Sequence, residues 1–227
     1  MKPIFTLMLT AGLLLGAKSH VAEANKRLAA AQEVLKDAMN AGDKSIPKDL
    51  IEKAHCVAIV PGLKKGGFIV GAQYGKGVLF CRKEVGGGWK GPATVRIEGG
   101  SFGLQIGAGE ADVVLLVMNK SGSDSILKNE FKLGANAGVM AGPVGRTAQA
   151  ETDAVMKAKI LGYSRSRGVF AGISLDGSTL REDLDDNKTM YGKKLTNMEI
   201  LEGSYPTPAA ARALKSMLTG ISTWEKK

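Results

Sequence analysis

Thirty glycines, spread singly and in clusters such as Gly86-Gly87-Gly88 and Gly99-Gly100, constrain this 227-residue chain more than any other feature. An ordinary domain holds ~7% glycine; an excess serves tight turns, bulges and close approach of strands, and weakens long helices. There is no G-X-Y period and prolines number only seven, which excludes a collagen-like or low-complexity chain. With 44% hydrophobic and 23% charged residues there is material for one proper buried core, which excludes a disordered tail and a small disulfide-stapled scaffold.

The glycines punctuate short β-rich runs: Cys56 to Val60, Phe68 to Ala72, Gly77 to Arg82, Ala93 to Glu98, Ser101 to Gly107 and Val113 to Met118. Between them lie turn signals at Pro61-Gly62, Gly66-Gly67, Gly86-Gly87-Gly88 and Gly99-Gly100, and connections this short favour antiparallel neighbours. Further strands are expected at Leu133 to Ala141, Met156 to Ser164 and Val169 to Leu175, the last two joined at Gly168 as a hairpin. Helices are expected before and after this block. Leu28, Ala31, Leu35, Ala38 and Met39 recur at helical spacing over Asn25 to Met39, and a short helix follows Pro47 as far as Ala54. Ser123 reads as a cap ahead of Ile126 and Leu127, the acidic run Glu182 to Asp186 opens another helix, and Pro208 to Met217 reads as the last. The fold class is therefore α+β: one domain with an antiparallel, glycine-rich, barrel-like sheet, an N-terminal amphipathic helix and short flanking helices.

Residues Met1 to Ala24 read as a secretory signal, with a basic start at Lys2, an apolar stretch from Ile4 to Gly16 and a small-residue exit at Ala22-Glu23-Ala24. That stretch is too short to span a bilayer, and no cysteine follows it for lipid attachment. The expectation is an exported protein, periplasmic or secreted, with mature residues from Asn25 onward. Its charge of +9 becomes +8 after processing, with 29 basic and 21 acidic residues, so an anionic partner is a live possibility. In an oxidising compartment Cys56 and Cys81 either bridge neighbouring strands, closing a loop of 24 intervening residues, or remain two separate buried thiols.

Catalytic motifs fare poorly. Gly99-Gly100-Ser101-Phe102-Gly103 matches G-x-S-x-G, but the following residues continue with β character, and no histidine lies downstream of Ser101. His55 and Cys56 are adjacent, so on a strand their side chains point to opposite faces and form no dyad. Gly71 to Gly77 has three residues between its glycines where a phosphate loop needs four, and Gly77 replaces the magnesium-binding hydroxyl. Asp183 to Asn187 lacks the glycine and closing glutamate of a calcium loop, and zinc is disfavoured by a single histidine in the mature chain with two separated cysteines. The reading is a protein without catalytic residues, metal or cofactor. A nucleic-acid partner is not expected, since aromatics are only 5% and no reading helix or stacking platform is visible. Basic surface remains: Lys64-Lys65 in a turn, Lys76, Arg82-Lys83, Lys90, Arg146, Lys193-Lys194, and Arg165 with Arg167, which share one face of a strand and present paired guanidinium groups to phosphate.

Taken in order, these stretches resemble the SYLF domain family, a lipid-binding module. The matching residues include Ala58-Ile59-Val60-Pro61, Lys65-Gly66-Gly67-Phe68-Ile69-Val70-Gly71, Trp89-Lys90-Gly91-Pro92-Ala93, Gly103-Leu104-Gln105-Ile106-Gly107, Gly142-Pro143-Val144-Gly145-Arg146 and Phe170-Ala171-Gly172-Ile173-Ser174-Leu175. The resemblance runs from about Ala24 to Leu201 and implies a lipid-binding domain over 25–203 followed by a helical tail over 204–227. It also implies binding without catalysis, through an N-terminal amphipathic helix and basic surface. On that pattern Lys26, Arg27 and Lys36 meet anionic headgroups while Leu28, Leu35 and Met39 enter the membrane interface; the competing reading packs that apolar face on the sheet. An exported chain without an accessory recognition domain makes actin an unexpected partner and acidic envelope phospholipid the expected ligand class. The other reading is a protein-interaction module of the cell envelope that never touches lipid.

Overall fold

The structure, a computed structural model, describes residues 6–67, 70–85, 87–102, 107–134, 138–145, 158–166, 169–173 and 175–222. Among these, six α-helices and nine strands form one α+β unit. The helices are α1 (Thr6–Asn40), α2 (Lys48–Lys53), α3 (Lys120–Ile126), α4 (Leu184–Tyr191), α5 (Asn197–Glu202) and α6 (Arg212–Ile221). The strands are β1 (Cys56–Gly67), β2 (Val70–Cys81), β3 (Lys90–Phe102), β4 (Gly107–Val117), β5 (Glu130–Leu133), β6 (Val139–Ala141), β7 (Ile160–Ser166), β8 (Val169–Gly172) and β9 (Ser178–Glu182).

All nine strands belong to one sheet, ordered β5-β9-β3-β2-β1-β4-β7-β6, with β8 also paired to β7, and the sheet curls into a nearly closed barrel. Every pairing is antiparallel except β6 with β7. Both faces of the central strands are covered, which is why Cys56 to Val60 and Val113 to Val117 are apolar at every position instead of at alternate ones. One face carries Cys56, Ala58, Val60, Leu79, Val95, Val113 and Leu115 into a core shared with Ile200 and Leu201 of α5 and with Ile126 of α3. The other carries Val57, Ile59, Val78, Phe80, Val114 and Leu116 against Leu28 and Leu35 of α1, Ile51 of α2 and Leu214 and Leu218 of α6.

Several expected boundaries shift for identifiable reasons. Pro61-Gly62 is not a turn but a bulge inside β1, where the register slips and Gly62 takes φ +60°, with a proline that could not donate to the ladder in any case. Gly99 and Gly100 likewise lie within β3. The α3 cap is Asn119, whose side chain accepts from the Gly122 N–H at 2.9 Å, so the helix begins ahead of Ser123. The long strand expected from Leu133 to Ala141 is two short ones, β5 and β6, on opposite edges of the sheet. Helix α1 is longer than Asn25 to Met39, running without a break from Thr6 to Asn40. Among the described residues, no helix is long and apolar enough to cross a membrane.

Candidate functional site

The apolar stripe of α1 lies on the sheet. Leu28 is 2% exposed and Leu35 is fully buried, with Ala31, Val34 and Ala38 beside them, and the half-buried Met39 packs on the same cluster. Of the two readings for this face, the folded chain adopts sheet packing: Leu28, Leu35 and Met39 are core residues and do not reach a membrane interface in this conformation. The physical reason is area, since the outer face of β1, β2 and β4 needs an apolar cover and α1 supplies it. On the opposite side of α1, Lys26 and Lys36 are exposed. Lys36 has only Glu33 nearby, at 3.7 Å with both side chains more than half exposed, a pairing that contributes little.

Arg27 and Arg165 are occupied by internal partners. Arg27 pairs with Asp186 of α4, and Asp186 lies 3.3 Å from Lys76 of β2, whose ammonium is also 2.7 Å from Asp183. Asp183 caps α4, its Oδ1 accepting from the Asp186 N–H at 3.2 Å. Burial opposes ionisation of Asp183, but the Lys76 ammonium and the Asp186 amide outweigh it and hold its carboxyl below the usual range. The acidic run is thus an internal counter-charge that pins α1 and α4 to β2. Arg165 on β7 donates through Nε to Asp112 on β4 at 2.8 Å, pairs with Asp37 on α1, and lies 5.6 Å from the Phe170 ring centroid. Of the guanidinium pair expected at Arg165 and Arg167, Arg165 is held by Asp112 and Asp37 and ties β7, β4 and α1 together; Arg167 lies outside the described residues.

Lys64 and Lys65 sit on β1 just past the Gly62 bulge, not in a turn. Lys64 is exposed, opposite Tyr74 on one side and Glu110 on the other; Lys65 is half-buried, opposite Gln73 and Gly109. Burial alone lowers the Lys65 pKa, and no ion pair involves Lys26, Lys64 or Lys65 among the described residues. Tyr74, 48% exposed, is the cross-strand neighbour of Lys64, which sets an aromatic residue beside an unpaired cation at the surface. Arg165, Arg27 and Lys76 on one hand, and Lys26, Lys64 and Lys65 on the other, therefore separate into structural and available charge.

The remaining motifs have structural roles. Cys56 and Cys81 face each other in the β1–β2 register and are joined by a disulfide of 2.08 Å, which leaves no thiol for a dyad with His55. Ser101 lies in β3. Among the described residues, no group of three or more His, Cys, Asp or Glu side chains is placed to hold a metal. Sequence reading names Arg82 and Lys90 as basic surface but misses what the fold does with them: Arg82 is buried, and His55, Arg82, Lys90 and Lys120 line a single cavity beside the disulfide. They are separated by as many as 65 positions along the chain and share no local motif, so only the strand order could have revealed them.

Comparison with known proteins adds family membership. A family model described as "Ysc84: Las17-binding protein actin regulator" matches residues 98–221. The SH3 domain-containing YSC84-like protein 1 of Homo sapiens is 34% identical over 184 residues, covering 81% of this chain and 53% of that protein. Protein YSC84 of Saccharomyces cerevisiae is 32% identical over 179 residues, covering 78% of this chain and 38% of that protein. The chain spans about half the length of the first relatives it matches. A barrel-like sheet covered by α1, the ordered glycine motifs and these matches lead to one conclusion: the chain belongs to the Ysc84 family of SYLF-domain proteins.

Proposed function

We propose that this domain is a non-enzymatic module that attaches reversibly to anionic phospholipid membrane surfaces from an exported, peripheral position. The observation that carries the reading is that, once the internal pairs are made, Lys26, Lys64 and Lys65 are among the cations with no ion-pair partner in the described residues, on a chain whose net charge is +9. Each suitably placed lysine contributes roughly 1 kcal/mol at an anionic surface, so the exposed Lys26 and Lys64 with neighbouring basic residues give attachment that salt reverses. With Leu28 and Leu35 buried, the attraction is electrostatic, aided by the exposed Tyr74 ring at the interface. Charge reversal tests it: Lys26→Glu with Lys64→Glu should abolish co-sedimentation with phosphatidylglycerol vesicles while the circular dichroism spectrum is unchanged. Undiminished binding by that folded variant would refute it.

A second reading, a protein-interaction module, is favoured by the wording of the matching family model, which describes a Las17-binding actin regulator. Met140 on β6 and Val169 on β8, 44% and 53% exposed, lie on the strands that share the outer edge of β7 and are the apolar positions such a partner would cover. If vesicle binding fails for the folded protein, this reading takes precedence.

A further inference from the structure

At the end of β1 opposite Lys64 lies a cavity of about 430 Å³ that the membrane reading does not use. Arg82, Lys83, Lys90 and Lys120 line it, against the carboxylates of Asp124 and Glu202. Arg82 is the notable member because it is only 3% exposed. Its Nε donates to the Ala54 carbonyl at 2.8 Å and its Nη2 to the Ile51 carbonyl at 3.1 Å, closing the end of α2. The guanidinium carbon stacks 4.5 Å from the Trp89 ring centroid. Its Nη1 is buried without a hydrogen-bond partner, an unused donor pair on a permanently charged group.

Around this group the potential is positive. His55 has a lowered pKa, first through burial and then through the charges of Arg82 and Lys120, with Asp124 working weakly the other way. Asp124 is already engaged by Lys120 at 3.2 Å, and Lys90 is held by the Glu202 and Gly203 carbonyls at the end of α5, at 3.0 and 2.9 Å. The Lys83 side chain is exposed and makes no ion pair among the described residues. The lining thus carries an excess of two positive charges, which suits a dianion. The volume exceeds what an inorganic phosphate fills and falls in the range for small organic ligands, and Leu127 and Leu201 supply an apolar wall.

We propose that this cavity binds a phosphate ester, with Arg82, Lys83 and Lys120 on the phosphate and Leu127 and Leu201 against the organic part. The same phosphomonoester chemistry belongs to a soluble ester and to the headgroup of phosphatidic acid, and two probes separate them. In a Trp224→Phe background, Trp89 is the only tryptophan and reports on the guanidinium stacked over it. Glycerol 3-phosphate, titrated into this protein, is expected to change the Trp89 emission saturably, and Lys83→Glu with Lys120→Glu to weaken the response about tenfold or more. Response to monomeric short-chain phosphatidic acid but not to glycerol 3-phosphate, lost in that double variant and kept in Lys26→Glu with Lys64→Glu, supports the site with a lipid headgroup as the source. Lys83→Glu by itself removes no internal contact and serves as the control should the double variant unfold. No response to either probe, or a response that the folded charge-reversed variants leave unchanged, would overturn the proposal; neither outcome depends on whether Lys26 and Lys64 mediate membrane attachment.

Discussion

Leu35 is fully buried between α1 and the sheet, so its substitution tests docking of the helix and not insertion into lipid. Leu35→Asp places a carboxylate in that core and is expected to cost about 3 kcal/mol or more, read as a large fall in melting temperature. A melting curve like that of the parent would show that α1 is not seated on the sheet. The Lys76–Asp183 pair sets a pH dependence. The folded pKa of Asp183 is depressed, so its stabilising contribution is present above the ordinary carboxylate pKa and is lost as pH falls through the folded value, below about 4. Burial lowers the Lys76 pKa, but Asp183 and Asp186 outweigh it and the net shift is upward. Its contribution is therefore complete below the ordinary lysine pKa and lost as pH rises past it, above about 10. Stability should be level between about pH 7 and 9 and fall at both ends, with His55, whose folded pKa is also depressed, contributing below about 6.5 and Asp183 below about 4, so that Asp183→Asn should flatten the lower part of the acid limb in chemical denaturation series.

Among elements, those with strong local signals are legible in the sequence. The central strands declare themselves as unbroken apolar runs, α1 by its 3.6-residue stripe, and α4 by the acidic residues that cap it. The short helix α5 escapes a reading by periodicity although Thr196-Asn197-Met198-Glu199 spells a capping box, which the structure forms with the Glu199 amide donating to Thr196 Oγ1 at 3.2 Å. The parallel β6–β7 pair and the cationic cavity are not legible, because both depend on which distant strands lie side by side. Placing Arg27 and Arg165 in ion pairs is beyond reach for the same reason: Asp186 lies 159 positions from Arg27. The bridge between β1 and β2 gives an element-scale prediction. It closes a loop with a sequence separation of 25, so Cys56→Ser with Cys81→Ser should lose about 3 kcal/mol, measured by denaturation with and without reductant. Identical curves for oxidised and reduced protein would contradict this.

For the whole molecule, charge divides into two populations with different jobs. Internal pairs such as Arg165 with Asp37 and Lys76 with Asp183 hold helices to the barrel, while Lys26, Lys64 and Lys65 are among the cations that make no such pair. A family match over residues 98–221 and relatives near one-third identity place the chain in the Ysc84 family. The most direct measurement is co-sedimentation of the protein with phosphatidylglycerol-containing and pure phosphatidylcholine vesicles over a salt series. Binding to the anionic vesicles alone, weakening steadily as salt rises, is the predicted result; equal binding to both, or none by folded protein at low salt, would contradict it.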